Sequence, residues 1–151
     1  TVSSTPLAAC PRKRTSYASV MEERSQSPEW DVLYCGLEGD VWETGIANIL
    51  WMKQGTVYCP RSDGHWLSGT VLEATLETAE AVGLGTERRS ARWDELGSFC
   101  WISNSLFGFL PVNRIATEDY DPSPPDGWME LRERLLSDKV FPRWHEISLF
   151  N

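Results

Sequence analysis

The chain has 151 residues, a net charge of −8 and 41% hydrophobic residues, with eight tryptophans among them. That is one domain's worth of chain, with apolar side chains enough for a sizeable core. The acidic balance argues against nucleic acid, whose phosphates need a basic stripe, and no run of about eighteen apolar residues is present to span a membrane.

Residues 1–11 are rich in Ser, Thr, Pro and Ala and read as a linker or strand lead-in. A helix is predicted from Ser16 to Gln26, with Tyr17, Val20, Met21 and Arg24 on one face, and Ser27-Pro28 stops it. Asp31–Cys35 reads as a strand, residues 36–40 as a turn, and Glu43–Asn48 as an irregular loop with polar ends. Ile46–Lys53 and Thr56–Cys59 form a predicted hairpin around Gln54-Gly55. The clearest helix opens at Ser68 as N-cap, with Glu73 in its first turn. Leu72, Leu76, Ala79 and Gly83 follow at helical spacing, and Gly83 and Gly85 stop it.

Beyond it come a short strand at Glu87–Ala91, a helical turn at Trp93–Leu96 and a buried strand at Ser98–Asn104. Residues 105–115 read as a loop running into a last strand around Pro111–Ile115. A Pro-rich linker follows at 119–127, and Asp126 caps a C-terminal helix, Gly127–Asp138, with Met129, Leu131, Leu135 and Leu136 as its apolar positions. Hairpins precede the main helix, so the order predicts an α+β fold rather than a doubly wound sheet.

Cys10, Cys35, Cys59 and Cys100 are widely spaced, with no Cys-x-x-Cys pair and no Cys/His cluster. Metal is therefore not expected, and the thiols are expected to be reduced and mostly buried. His65 and His145 have no Ser/Asp or Cys pattern around them, so a hydrolase triad is not supported. The chain begins with Thr1 rather than methionine, which suggests processing or a fragment, and no signal peptide is visible, so a cytoplasmic protein is expected.

Four stretches in order carry a resemblance: Lys13-x-x-Ser16-Tyr17; Glu43-Thr44-Gly45-Ile46-Ala47-Asn48-Ile49-Leu50; Leu67-Ser68-Gly69-Thr70; and Asn104-Ser105-Leu106-x-Gly108-x-x-Pro111-Val112. Together they resemble the class IV aminotransferases, the fold-type IV pyridoxal-phosphate enzymes. These include branched-chain aminotransferases, D-amino-acid aminotransferases and 4-amino-4-deoxychorismate lyases. The Lys13-x-x-Ser16 spacing and the Asn104–Val112 stretch look most like the lyases. The resemblance covers roughly residues 10–116 and only the larger, C-terminal domain of such enzymes. It implies a mixed sheet with a barrel-like core flanked by helices. The implied boundaries are a lead-in at 1–11, a cofactor-binding domain at 12–118, and a linker with a C-terminal helix and tail at 119–151.

The resemblance assigns pyridoxal 5′-phosphate as cofactor and Lys13 as the amine that attaches to its aldehyde and then moves protons as general base and acid. Arg12 and Arg14 on either side would lower the Lys13 pKa and favour the neutral amine. On residues alone Lys13 reads as a solvated surface lysine in a basic run, the usual fate of such runs. Lys53 in a hairpin and Lys139 near the tail are poor competitors. The family pattern places Glu43 at the pyridine nitrogen, Tyr17 at the ring hydroxyl and Asn48 as a brace. Ser68, Gly69, Thr70 and Val71 form a phosphate-binding helix entrance, with Ser105 as a second phosphate contact and Asn104 facing substrate. Here Ser68, Val71 and Leu72 replace the family's usual proline, threonine and arginine, so one hydroxyl contact is lost or passes to Thr70.

The implied activity is that of a lyase releasing pyruvate and forming 4-aminobenzoate from a small amino substrate. A branched-chain or D-amino-acid aminotransferase, or a cofactor-free scaffold or repurposed domain, are the alternatives. A homodimer, or association with the small domain that precedes this one in such enzymes, is the implied assembly.

Overall fold

In the stretch Asn48–Met52 every side chain is buried, so this strand needs cover on both faces. The computed structural model, which describes residues 2–3, 18–61, 66–97, 99–116, 118–120 and 123–137, supplies that cover with two helices on one side and a second sheet on the other.

In chain order the elements are β1 (Val2–Ser3), α1 (Ala18–Gln26), β2 (Leu33–Cys35), β3 (Val41–Thr44), β4 (Asn48–Lys53), β5 (Thr56–Cys59), α2 (Thr70–Ala81), β6 (Gly85–Arg88), a 3-10 turn at Trp93–Glu95, β7 (Phe99–Asn104), β8 (Gly108–Val112), β9 (Arg114–Ile115), β10 (Glu118–Asp119) and α3 (Trp128–Leu135). One sheet runs β6-β5-β4-β7-β8, with β5 and β6 parallel and the other neighbours antiparallel. A smaller sheet runs β1-β2-β3, and β9 pairs with β10.

The period of two along the strands sorts the large sheet's side chains onto its two faces. Leu50 and Met52 of β4, Val57 and Cys59 of β5, and Phe99 and Trp101 of β7 meet α2 and α3. Ile49, Trp51, Cys100 and Ile102 turn the other way, onto Leu33, Cys35 and Val41 of the small sheet. The far face of that sheet is covered by α1, where Val20 packs with Val32 and Tyr34.

Several boundaries differ from the sequence reading. Glu43 and Thr44 are not loop. They belong to β3, paired with Tyr34 and Leu33 of β2, and only residues 45–47 bend between strands. β3 has no apolar run to announce it; partners on β2 make it a strand. The strand expected at Glu87–Ala91 lies at β6, because pairing with β5 sets its register at Thr56↔Gly85. Much of the expected loop at 105–110 is the turn and first half of a β7–β8 hairpin. The last strand is broken at Asn113 into β8 and β9.

Both predicted helix caps move by one residue. Gly69 caps α2 and Gly127 caps α3, each without a side-chain cap bond, in place of Ser68 and Asp126. Trp128, Leu131 and Leu135 form the buried face of α3, whereas Met129 is 52% exposed. The linker stretch at 119–127 opens with the end of β10 and with buried Tyr120, whose hydroxyl donates to the Trp93 carbonyl at 2.6 Å. Cys35, Cys59 and Cys100 are free and buried, and burial pushes their thiols up to about 12, 11 and 12. Cys10 lies outside the described residues.

Candidate functional site

β3 carries Glu43 into the protein. Burial raises its pKa to about 7, and the Leu67 backbone N–H, donating to the carboxylate, acts against that rise. A half-buried carboxylate, with part of its water removed, favours its neutral form.

Asn48 opens β4 on the face turned toward α2. Its Nδ2 donates to the Leu67 carbonyl at 2.7 Å, and its Oδ1 accepts from the Gly69 N–H at 3.0 Å. The segment Leu67–Gly69 is thus held at both ends by Asn48 of β4. A Cβ on Gly69 would collide with Asn48 Oδ1, so a larger residue there would have to push the Asn48 side chain off its hydrogen bonds.

α2 starts at the next residue. Its first intrahelical bond to the cap runs from the Glu73 N–H to the Gly69 carbonyl. The N–H groups of Thr70, Val71 and Leu72 therefore have no acceptor within the helix. With the positive end of the helix dipole they make an entrance suited to an anion. Thr70 is exposed, whereas Val71 and Leu72 are buried. The hydroxyl available at this entrance is therefore that of Thr70, and Val71 offers its backbone alone. The Ser68 hydroxyl is already engaged, donating to the Glu73 carboxylate. Arg88 Nη2 reaches both oxygens of the same carboxylate at 2.6 and 2.7 Å.

Ser103 of β7 pairs with Asn48 across the strands. Its side chain is fully buried, and its Oγ has no hydrogen-bond partner among the described residues. The sequence reading passed over it; the signal was a serine at the end of an apolar strand. Asn104 is committed within the chain. Its Nδ2 donates to the Ile46 carbonyl at 3.0 Å, and its Oδ1 accepts from the N–H groups of Leu106 and Phe107 at 2.9 and 3.0 Å. It shapes the β7–β8 turn and ties it to the bend after β3. Ser105 sits exposed on that turn.

The structure thus brings Glu43, Asn48, Ser68, Gly69, Thr70 and Val71 around one short segment. Lys13 and Tyr17, with Ser16 and His65, lie outside the described residues, as do Lys139 and His145. Glu43 supplies a half-buried acid of raised pKa, and the head of α2 supplies uncapped N–H donors. This donor set fits pyridoxal phosphate at those two ends.

Residues 7–115 match the sequence profile of the family described as amino-transferase class IV. This chain belongs to the class IV aminotransferases. A probable branched-chain-amino-acid aminotransferase of Thermotoga maritima is 27% identical over 98 residues, covering 64% of this chain and 36% of that protein. The crystal structure of 4-amino-4-deoxychorismate lyase from Pseudomonas aeruginosa superposes with a TM-score of 0.75 at 22% identity, covering 91% of this chain and 52% of that one. A hypothetical aminotransferase from Mycobacterium tuberculosis in its PLP-bound form gives 0.71 at 21% identity, covering 83% and 44%. The α+β fold of this chain is accordingly the fold-type IV kind. The chain spans about half the length of these solved structures and about a third of the curated relative. Among the described residues no helix is long and apolar enough to cross a membrane, and no group of metal-ligating side chains occurs.

Proposed function

We propose that this class IV aminotransferase chain is the cofactor-binding part of a pyridoxal-phosphate-dependent lyase acting on a small amino substrate, releasing pyruvate and forming 4-aminobenzoate. The observation that carries the cofactor reading is the presence of a half-buried acid of raised pKa on β3 together with an uncapped helix entrance held by Asn48. The bound cofactor supplies an electron-accepting ring. Glu43 holds a proton at the ring nitrogen, and the N–H groups at the head of α2, with the Thr70 hydroxyl and Ser105, hold the phosphate. Lys13 is the amine, and it moves the proton between substrate carbon and product. Tyr17 fixes the ring hydroxyl. The Asn104-Ser105-Leu106 and Lys13-x-x-Ser16 patterns favour the lyase. The match to the Thermotoga maritima protein supports the second reading, a branched-chain aminotransferase.

Mixing the chain with excess pyridoxal 5′-phosphate is expected to produce a visible absorption band that Lys13→Ala lacks. A folded chain with no band at saturating cofactor would overturn the reading in favour of a cofactor-free domain. Pyruvate release without an amino acceptor separates lyase from aminotransferase.

A further inference from the structure

Helix α2 carries Glu73, Glu77 and Glu80 and neither Lys nor Arg. Its head is nevertheless the end that the proposed function gives to a phosphate, and Glu73 stands in the first turn. The Ser68 hydroxyl donates to the Glu73 carboxylate, which brings that carboxylate back beside the residue before the Gly69 cap. A negative charge there stabilises the helix, and for the same reason it opposes an anion arriving at the same N–H groups.

The compensating cation comes from another element. In the parallel register of β5 and β6, Arg88 lies beside Cys59, and Cys59 belongs to the sheet face that meets α2. Arg88 therefore points to α2, whereas Arg89, one residue on, stands over the Tyr58 ring of the opposite face at 5.5 Å. Arg88 Nη2 reaches the two Glu73 oxygens at 2.6 and 2.7 Å. Thr86, two residues earlier on the same side of β6, makes only a neutral contact with α2, its hydroxyl donating to Glu80. Among the described residues Arg88 is the only cation ion-paired with that helix.

We propose that Arg88 is a positioning residue for the phosphate end of the site and acts through Glu73. It cancels the Glu73 charge, so the N–H groups of Thr70, Val71 and Leu72 meet an anion with no free carboxylate against it. This rests on the proposed function for the identity of the anion. Ser68 and Thr70 are two residues apart, which the reach of the chain limits to about 7 Å. That is inside the screening length of about 10 Å at 0.1 M salt. At such a distance in water-like surroundings, one uncompensated charge changes the affinity for a singly charged anion about threefold. The Arg88 and Glu73 side chains are 32% and 46% exposed, so dissolved salt reaches the pair and high salt removes the effect.

The test is a titration of the ¹⁵N-labelled chain with inorganic phosphate at about pH 7 and low salt, following the amide signals of Thr70 and Val71. Arg88→Gln is expected to weaken phosphate at least about threefold, and Glu73→Gln to tighten it by a similar factor. The two together are expected to return the native affinity, and about 1 M sodium chloride to erase the differences. Gln at 73 still accepts from Ser68 and Arg88, so a role that is only structural predicts no tightening. A double variant as weak as Arg88→Gln, or differences that persist in high salt, would make the pair a clamp and overturn the proposal. If Arg88→Gln fails to fold, Glu73→Gln decides alone: tighter phosphate supports the proposal, and unchanged or weaker phosphate overturns it. A native titration that neither substitution alters overturns the role of Arg88 and leaves the phosphate site standing. Thr70 and Val71 signals that ignore phosphate in the native chain overturn both.

Discussion

A carboxylate half buried beside a peptide donor is costly in its charged form, because it has given up part of its water for little. Glu43 pays that cost as a displaced titration, from an ordinary 4.5 to about 7, through burial opposed by the Leu67 N–H. The folded chain keeps the Glu43 proton where the unfolded chain has lost it. Stability contributed by this residue is therefore full below about 4.5 and falls as pH rises through about 7. At 1.36 kcal/mol per pKa unit the loss is at most roughly 3 kcal/mol. Urea unfolding at about pH 5 and about pH 8 is expected to show this decline, and Glu43→Gln, neutral throughout, to flatten it. An unchanged pH profile in the variant would place the Glu43 carboxyl in water. Glu73 behaves in the opposite way. Burial raises its pKa, but the Ser68 hydroxyl and Arg88 outweigh burial and hold it below the usual value, so its contribution is lost on acidification instead.

At the scale of elements, the entrance of α2 is the joint on which the site depends. Asn48→Ala removes two hydrogen bonds and leaves the Leu67 carbonyl and the Gly69 N–H to find other partners, a loss of about 1–3 kcal/mol for each group left buried and unpaired. Gly69→Ala is destabilising for a different reason, the collision of its new Cβ with Asn48 Oδ1. The second cost depends on the first residue, so the two substitutions must couple. In a double-mutant cycle read by urea unfolding, Gly69→Ala is expected to cost at least about 1 kcal/mol less in the Asn48→Ala background than in the native chain. Strict additivity would mean that Asn48 does not hold this segment. Helical spacing made α2 legible in the sequence, but its cap was not, because Ser68 is a good N-cap residue that Glu73 has drawn away. β3 was illegible for another reason. Val41-Trp42-Glu43-Thr44 becomes a strand through pairing with β2, and local propensity says nothing about that partner. The family pattern named Glu43, Asn48 and Gly69 from their side chains or lack of one. The Leu67 carbonyl that Asn48 holds is a backbone group, and no side-chain motif announces it.

For the whole molecule, the large sheet is stable only while both faces are covered, and α3 completes one of them. It lies beyond residue 115, where the family match ends, yet Trp128 packs its ring 4.5 Å from that of Trp101 and 5.0 Å from that of Phe99. Leu131 and Leu135 are fully buried beside it. The helical pattern in the sequence found Leu131 and Leu135 but put Met129 in the place of Trp128. Both large residues stand in the first turn, and only the packed sheet shows which of them turns inward. Their unequal burial, 4% exposed for Trp128 and 52% for Met129, makes the assignment testable. Trp128→Ala empties a site lined by Phe99, Trp101 and Phe109 and is expected to cost about 3–5 kcal/mol in urea unfolding. Met129→Ala is expected to stay within about 0.5 kcal/mol of the native chain. Because Phe99 and Trp101 sit on β7, the strand that pairs with β4 and so braces Asn48, the Trp128 variant should also broaden the amide signals of Leu67 and Gly69. Equal costs for the two substitutions would mean that α3 packs through another face and that the cover over β7 comes from elsewhere.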